Sequence, residues 1–182
     1  MKQKLLVLCG GQSSEHIVSR MSCTSVLNNL DANKYEITLV GIDLDGGWHY
    51  LDAKQTDLAK NTWLDNSSMV EDVYGLLKNQ DVAFPVLHGM YGEDGRLQTL
   101  LEMLEIPYTG SGMLASALSM DKAASKRIMQ AAGIATPKSL IFVKGETHDF
   151  CGEILSAFKK MPVVVKPATQ GSSIGVEIVK ND

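Results

Sequence analysis

No run in this chain approaches the roughly 18 apolar residues of a transmembrane helix, and no membrane partner is expected. No basic cluster offsets the net charge of −4, so a nucleic-acid partner is not expected either. Cysteine is scarce: Cys9, Cys23 and Cys151 are the only three. Their number is odd and their spacing fits no zinc pattern. Reduced thiols in a cytoplasmic protein are expected, not a disulfide framework. The opening stretch MKQKLLVLCGG has too short an apolar core for a signal peptide. Leu8 also stands where a small residue would precede a lipoprotein cysteine. Internal repeats and low-complexity tracts are lacking. A Walker A loop is lacking too, because no lysine follows the glycine loop GSSIG (171–175) and the next residues favour a strand.

What remains is an ordinary globular balance: 182 residues, 45% hydrophobic and 21% charged. A chain of this size buries roughly 70% of its unfolded surface, enough for one domain or one domain plus part of another. KLLVLC (4–9) reads as a buried strand of a parallel sheet. EHIVSRMSCTSVLNNL (15–30) reads as a helix with Ile17, Met21, Val26 and Leu30 at helical spacing. Strands follow over 35–43 and 81–89, with a DGGW turn leading into WHYL between them. Residues 53–72 take no assignment. A helix covers 95–106, and 113–134 reads as two helices meeting near Ser119. Alternating strands and helices point to a doubly wound α/β domain. The pattern then changes. A strand is expected over 138–143 and a helix over 149–160 with Phe150, Ile154, Leu155 and Phe158 inward. MPVVVKP (161–167) is expected as a buried strand.

Two turns stand at strand ends: GGQSSEH (10–16) and HGMYGEDG (88–95). In open α/β sheets ligands sit beyond the carboxyl ends of the strands, so both turns would face one crevice. A glycine pair there usually prepares a backbone for an anion. Glu15 reverses that, since its position at a helix start favours negative charge and a carboxylate in a crevice attracts a cation. His88 reads either as a capped strand end or as a ligand-facing group. Glu93 and Asp94 read as helix N-terminal charge, worth about 0.3–1 kcal/mol. The loop GSSIG lies between two strands. It is either a plain glycine- and serine-rich turn or a hairpin that covers nucleotide phosphates. In the second case Gly171 and Gly175 let the backbone approach, and Ser172 and Ser173 donate hydroxyls. Lys166, ending a strand of three valines, needs a partner for its charge, and a phosphate would serve.

GGQSSEHIVS, HGMYGEDG, SMDKAASK and VVVKPATQGSSIGV follow one another in this order. Together they resemble the N-terminal half of a D-alanine–D-alanine ligase of the ATP-grasp superfamily, and the resemblance covers nearly all of the chain. It implies a doubly wound parallel-sheet N-terminal (pre-ATP-grasp) α/β domain over 1–120. The first, incomplete part of an α+β ATP-grasp domain would follow over 121–182. The implied reaction joins two D-alanines through an acyl phosphate, with ATP and magnesium, for peptidoglycan synthesis. By resemblance Glu15 holds the ammonium of the first D-alanine and His88 lies beside it. Lys122 and Lys166 bind ATP phosphates. Gly171, Ser172, Ser173 and Gly175 form the loop over them, and Ser172 joins a hydrogen-bond network with Glu15. Without the resemblance, Lys122 reads as a solvated helix lysine. No step needs a protein nucleophile: positioning and charge stabilisation carry phosphoryl transfer.

The family's chains run for roughly as many residues again. The resemblance implies that the magnesium ligands and the adenine-binding strand lie beyond Asp182, and no metal site is assigned within residues 1–182. The chain on its own is therefore expected not to ligate D-alanine at a meaningful rate. A homodimer is expected, and the strand edge in VVVKPATQGSSIGVEIV is expected to favour self-association. Three alternatives stay open. One is a D-alanine–D-lactate or D-alanine–D-serine ligase, a second is another ATP-grasp enzyme such as a carboxylase subunit, and the third is a non-catalytic D-alanine-binding or dimerisation module.

Overall fold

The computed structural model describes residues 1–180. The chain divides into two compact units, Met1–Ala117 and Leu118–Asp182. No helix among the described residues is long and apolar enough to cross a membrane.

The first unit runs β1 (Gln3–Gly10), α1 (His16–Asn29), β2 (Tyr35–Ile42), β3 (Trp48–Leu51), β4 (Ser68–Met69), α2 (Val73–Lys78), β5 (Val82–Pro85) and α3 (Arg96–Met103). Its sheet has the order β4-β3-β2-β1-β5. β1 is central and parallel to both neighbours, with Leu5 opposite Ile37 on one side and Val82 on the other. β3 and β4 pair antiparallel, so the sheet expected to be parallel gains an antiparallel edge.

β1 explains the architecture. Leu5 to Gly10 are all buried, and alternate side chains point to opposite faces. Leu6 and Leu8 join Val40, Leu77 and Leu101 on one face. Leu5, Val7 and Cys9 join Leu39, Cys23 and Trp63 on the other. Each aliphatic side chain buried in this way stabilises the fold by about 1.5–3 kcal/mol. The unassigned 53–72 segment is covered ground too: Leu58, Trp63 and Val70 are buried. Trp63 fits because Gly41 has no side chain; a Cβ there would run into the indole ring.

α1 corrects the sequence reading. Ile17 and Met21 are 62% and 59% exposed, and the buried residues are His16, Ser19, Arg20 and Cys23. The helix turns its polar face inward because the two glycine-bearing turns lie there and need hydrogen-bond partners.

The second unit holds α5 (Lys122–Ala131), α6 (Phe150–Phe158), β6 (Val163–Val165) and β7 (Glu177–Val179). α4 (Met113–Met120) carries the chain across the division. β6 and β7 pair antiparallel, Val163 opposite Val179. Three expectations fail here. Residues 138–143 form no strand, because no neighbouring strand offers its backbone groups to them. β6 is not buried: Val164 and Val165 are exposed. On α6 Phe150 and Leu155 are exposed, while Ile154 and Phe158 are half-buried. A two-stranded sheet and short helices cannot enclose a core among themselves.

Candidate functional site

Because β1, β2 and β5 are parallel neighbours, their carboxyl ends leave the sheet together. The turn after β1 bends at Gly10 and Gly11, both left-handed at φ +87° and +93°. Buried groups brace it from behind. His16 donates from Nδ1 to the Gly11 carbonyl at 2.8 Å, which puts a proton on that nitrogen. Trp63 packs edge-on against His16, with ring centroids 5.4 Å apart. The Arg20 guanidinium lies over Trp63 at 4.7 Å and donates to the Leu58 carbonyl. Cys9, just before the turn, is no nucleophile. Its hydrogen bond with Cys23 and its burial push the thiol pKa up.

The turn after β5 meets α1 side by side. The Ser19 hydroxyl, fully buried, donates to the Val86 carbonyl at 2.5 Å and accepts from the Gly10 amide at 2.8 Å. One side chain thus ties the two turns together. Gly89, left-handed at φ +70°, comes so close to the first turn that a Cβ would stand 2.6 Å from Glu15 Oε2 and 2.7 Å from Ser13 Oγ. Only glycine lets the backbone approach that carboxylate. Glu15 is half-buried at the N-terminal end of α1, and its side chain makes no cap bond. Among the described residues its carboxylate accepts no hydrogen bond and pairs with no cation, while its backbone carbonyl accepts from the Ser19 amide.

His88 Nε2 lies 3.0 Å from Ser22 Oγ, and its Nδ1 lies 3.9 Å from Glu93 Oε1. Glu93 does more than charge a helix start: it accepts from the Gly89 amide at 2.9 Å and closes the second turn. Asp94 accepts from the Tyr91 amide and pairs with Arg96 at 2.8 Å. A cavity of about 170 Å³ opens between the turns, lined by Gly10, Gly11, Gln12, Leu87, His88 and Arg96 among others. The first unit therefore brings Glu15 and His88 to the same pair of turns. His88 lines the cavity, whereas Glu15 does not. The sequence reading missed Ser13, His16, Ser19 and Ser22. Its available signal was spacing: Glu15, Ser19 and Ser22 stand at i, i+4 and i+7, one face of a helix.

The other candidates, Ser172 included, lie in the second unit. Asp121 caps α5, accepting from the Ala123 and Ala124 amides at 2.8 and 3.0 Å. Lys122 is half-buried and donates from Nζ to the Gln170 carbonyl at 2.5 Å and to Ala168 at 3.4 Å. It is an anchor for the segment entering the glycine loop, not a solvated lysine. Lys166 is exposed and has no hydrogen-bond or ion-pair partner among the described residues. GSSIG does join two antiparallel strands. Its left-handed residues are Ser172 (φ 51°), Ser173 (φ 61°) and Gly175 (φ 67°), not Gly171.

This donor set suits an anion: an unpaired ammonium, exposed hydroxyls and an open loop backbone. It offers nothing to a metal ion. Among the described residues no three His, Cys, Asp or Glu side chains gather as ligands.

The family model described as D-ala D-ala ligase N-terminus matches residues 4–111, and the one described as D-ala D-ala ligase C-terminus matches 128–182. A D-alanine–D-alanine ligase of Thermoanaerobacter sp. (strain X514) is 40% identical across 100% of this chain, which spans 55% of that protein. One of Acetivibrio thermocellus is 38% identical over 96% of the chain and 54% of the relative. Among solved structures, the VanG D-Ala:D-Ser ligase of Enterococcus faecalis superposes with a TM-score of 0.82 at 32% identity, over 100% of this chain and 57% of that one. The D-alanine–D-alanine ligase of Coxiella burnetii gives 0.81 at 32% identity, over 99% and 57%. The chain spans about half the length of the relatives it matches.

Proposed function

The chain belongs to the D-alanine–D-alanine ligase family, and on that premise we propose that it supplies the first-substrate site and the phosphate-covering hairpin of an ATP-dependent ligase joining two D-alanines. Residues 1–120 form the substrate-binding domain, and residues 121–182 begin the ATP-grasp domain. Glu15 holds the ammonium of the first D-alanine. His88 stands beside it as part of the pocket wall. The observation that carries this reading is the Glu15 carboxylate itself, half-buried at a helix start beside Gly89 and without a hydrogen-bond partner. A half-buried carboxylate in that state has its acceptor capacity free for a cation.

Lys166 and the exposed hydroxyls of Ser172 and Ser173 hold phosphate oxygens of ATP. Gly171 and Gly175 let the loop backbone close on them. Lys122 fixes the approach to the loop through the 168 and 170 carbonyls and keeps a third ammonium proton for an anion. ATP supplies the phosphoryl group that activates the first carboxylate as an acyl phosphate, and the second amine then attacks it. Magnesium accompanies ATP in this reading. The described residues do not fit it, and no step is routed through it. D-Alanine is favoured over D-lactate or D-serine as second substrate by the names of the curated relatives. A cytoplasmic homodimer without nucleic-acid or membrane partners completes the proposal; the net charge of −4 speaks against nucleic acid, and the three free cysteines suit a reducing compartment.

Calorimetry tests it. D-Alanine should bind the chain, and Glu15→Gln should weaken that binding about ten- to a hundredfold, as expected for loss of a charged hydrogen bond. Equal affinity in wild type and variant removes Glu15 from the role.

A further inference from the structure

Three side chains, two on α1 and one at its N-cap, meet the second turn. Ser19 binds the Val86 carbonyl, Ser22 meets the His88 ring, and Glu15 stands against Gly89. Ser19 holds backbone, whereas Ser22 touches a side chain that lines the cavity. Ser22 Oγ lies 3.0 Å from His88 Nε2. On the other side of the ring, Glu93 Oε1 lies 3.9 Å from Nδ1. Glu93 is itself held, by its bond from the Gly89 amide. A fixed carboxylate beside Nδ1 favours a proton on that nitrogen and leaves Nε2 as a lone-pair acceptor. The Ser22 hydroxyl then donates to Nε2.

We propose that Ser22 is a positioning residue, whose hydroxyl fixes the ring orientation and the Nδ1–H tautomer of His88 in the wall of the amino-acid pocket. A ring flip would break the Ser22 bond at Nε2 and carry Nδ1 away from the Glu93 carboxylate 3.9 Å off. The wall of the pocket then has one shape. The effect on binding rests on the amino-acid reading above; the hydrogen bond itself needs no ligand.

The test uses the 15N-labelled chain. Long-range proton–nitrogen spectra of the His88 imidazole are recorded at a pH where the ring is neutral. Wild type should show a protonated Nδ1 and a bare Nε2. Ser22→Ala should shift the ring toward a tautomer mixture, and Ser22→Thr, which keeps the hydroxyl, should restore the wild-type pattern. A wild-type ring protonated at Nε2, or an unchanged ring in Ser22→Ala, overturns the proposal. D-Alanine titrations form the second arm. Ser22→Ala should weaken binding about three- to tenfold, the loss of one neutral hydrogen bond, and Ser22→Thr should recover it. A changed ring with unchanged D-alanine affinity also overturns the positioning role. If wild type binds no D-alanine, the amino-acid reading fails, and the ring spectra still decide what Ser22 does.

Discussion

In the first unit β1 hides six consecutive residues, Leu5 to Gly10, whereas no described residue from 118 onward in the second unit is buried. The two units hold their candidate groups by different means. In the first, side chains out of solvent fix the turns: Ser19 and His16 bind backbone groups that water does not reach. In the second, order comes from caps and backbone-directed bonds, such as Asp121 on α5 and Lys122 on the 168–170 segment. The chemistry differs as well. Among the described residues the first unit presents an unpartnered carboxylate, the second an unpartnered ammonium and exposed hydroxyls. One suits the amine end of an amino acid, the other a phosphate.

The contrast in packing breaks most easily in the cores. Leu8→Ala should cost about 2–5 kcal/mol of stability, the range for a fully buried leucine. Val164→Ala, at a side chain 59% exposed, should stay within about 0.5 kcal/mol. Urea unfolding measures both, and similar losses would erase the contrast. Ser19→Ala should cost about 1–3 kcal/mol, since it strands the Gly10 amide and the Val86 carbonyl. Amide exchange at Gly10 should quicken with it. Asp121→Ala should cost about 1 kcal/mol for the lost cap and loosen α5 alone. Faster exchange spreading into β1 would mean that the second unit's order is not local.

The smallest expected effect is one of pH. Burial pushes the Asp43 carboxyl up, but bonds from His49 Nε2 and the Gly47 and Asp45 amides together outweigh it and hold its pKa below the ordinary carboxylate range. A carboxyl lowered in the folded state stabilises the fold above its unfolded pKa, about 3.9. That stabilisation is lost as the pH falls through the folded value. Asp43→Asn should therefore flatten part of the acid limb of a stability-versus-pH curve. An unchanged limb would show that the turn between β2 and β3 does not depend on this charge.

Much of the first unit was legible because its signals are local. LLVLC is apolar on both faces, and it became the central strand. In the second unit only GSSIG was as plain, a loop between two strands that became a hairpin. What stayed hidden depends on partners remote in sequence. Ile17 and Met21 suggested a buried stripe, yet α1 buries His16, Ser19 and Arg20, whose partners sit at 11, 86 and 58. Trp63 found its place through the missing side chain of Gly41. SLIFV (139–143) has strand composition but no strand beside it. Glu15 and His88 were readable as candidates from their places after strands. That Glu15 would stand bare beside Gly89, with His88 bonded to Ser22, was visible only in three dimensions.

The central claim is that the two units bind opposite charges, with Glu15 as the ammonium site. Amide shifts of the 15N-labelled chain under D-alanine test it most directly. The account predicts shifts confined to residues 10–16 and 86–93, lost in Glu15→Gln, with a non-hydrolysable ATP analogue moving residues 166–175 instead. D-Alanine shifts centred on 166–175, or undiminished in Glu15→Gln, would contradict it.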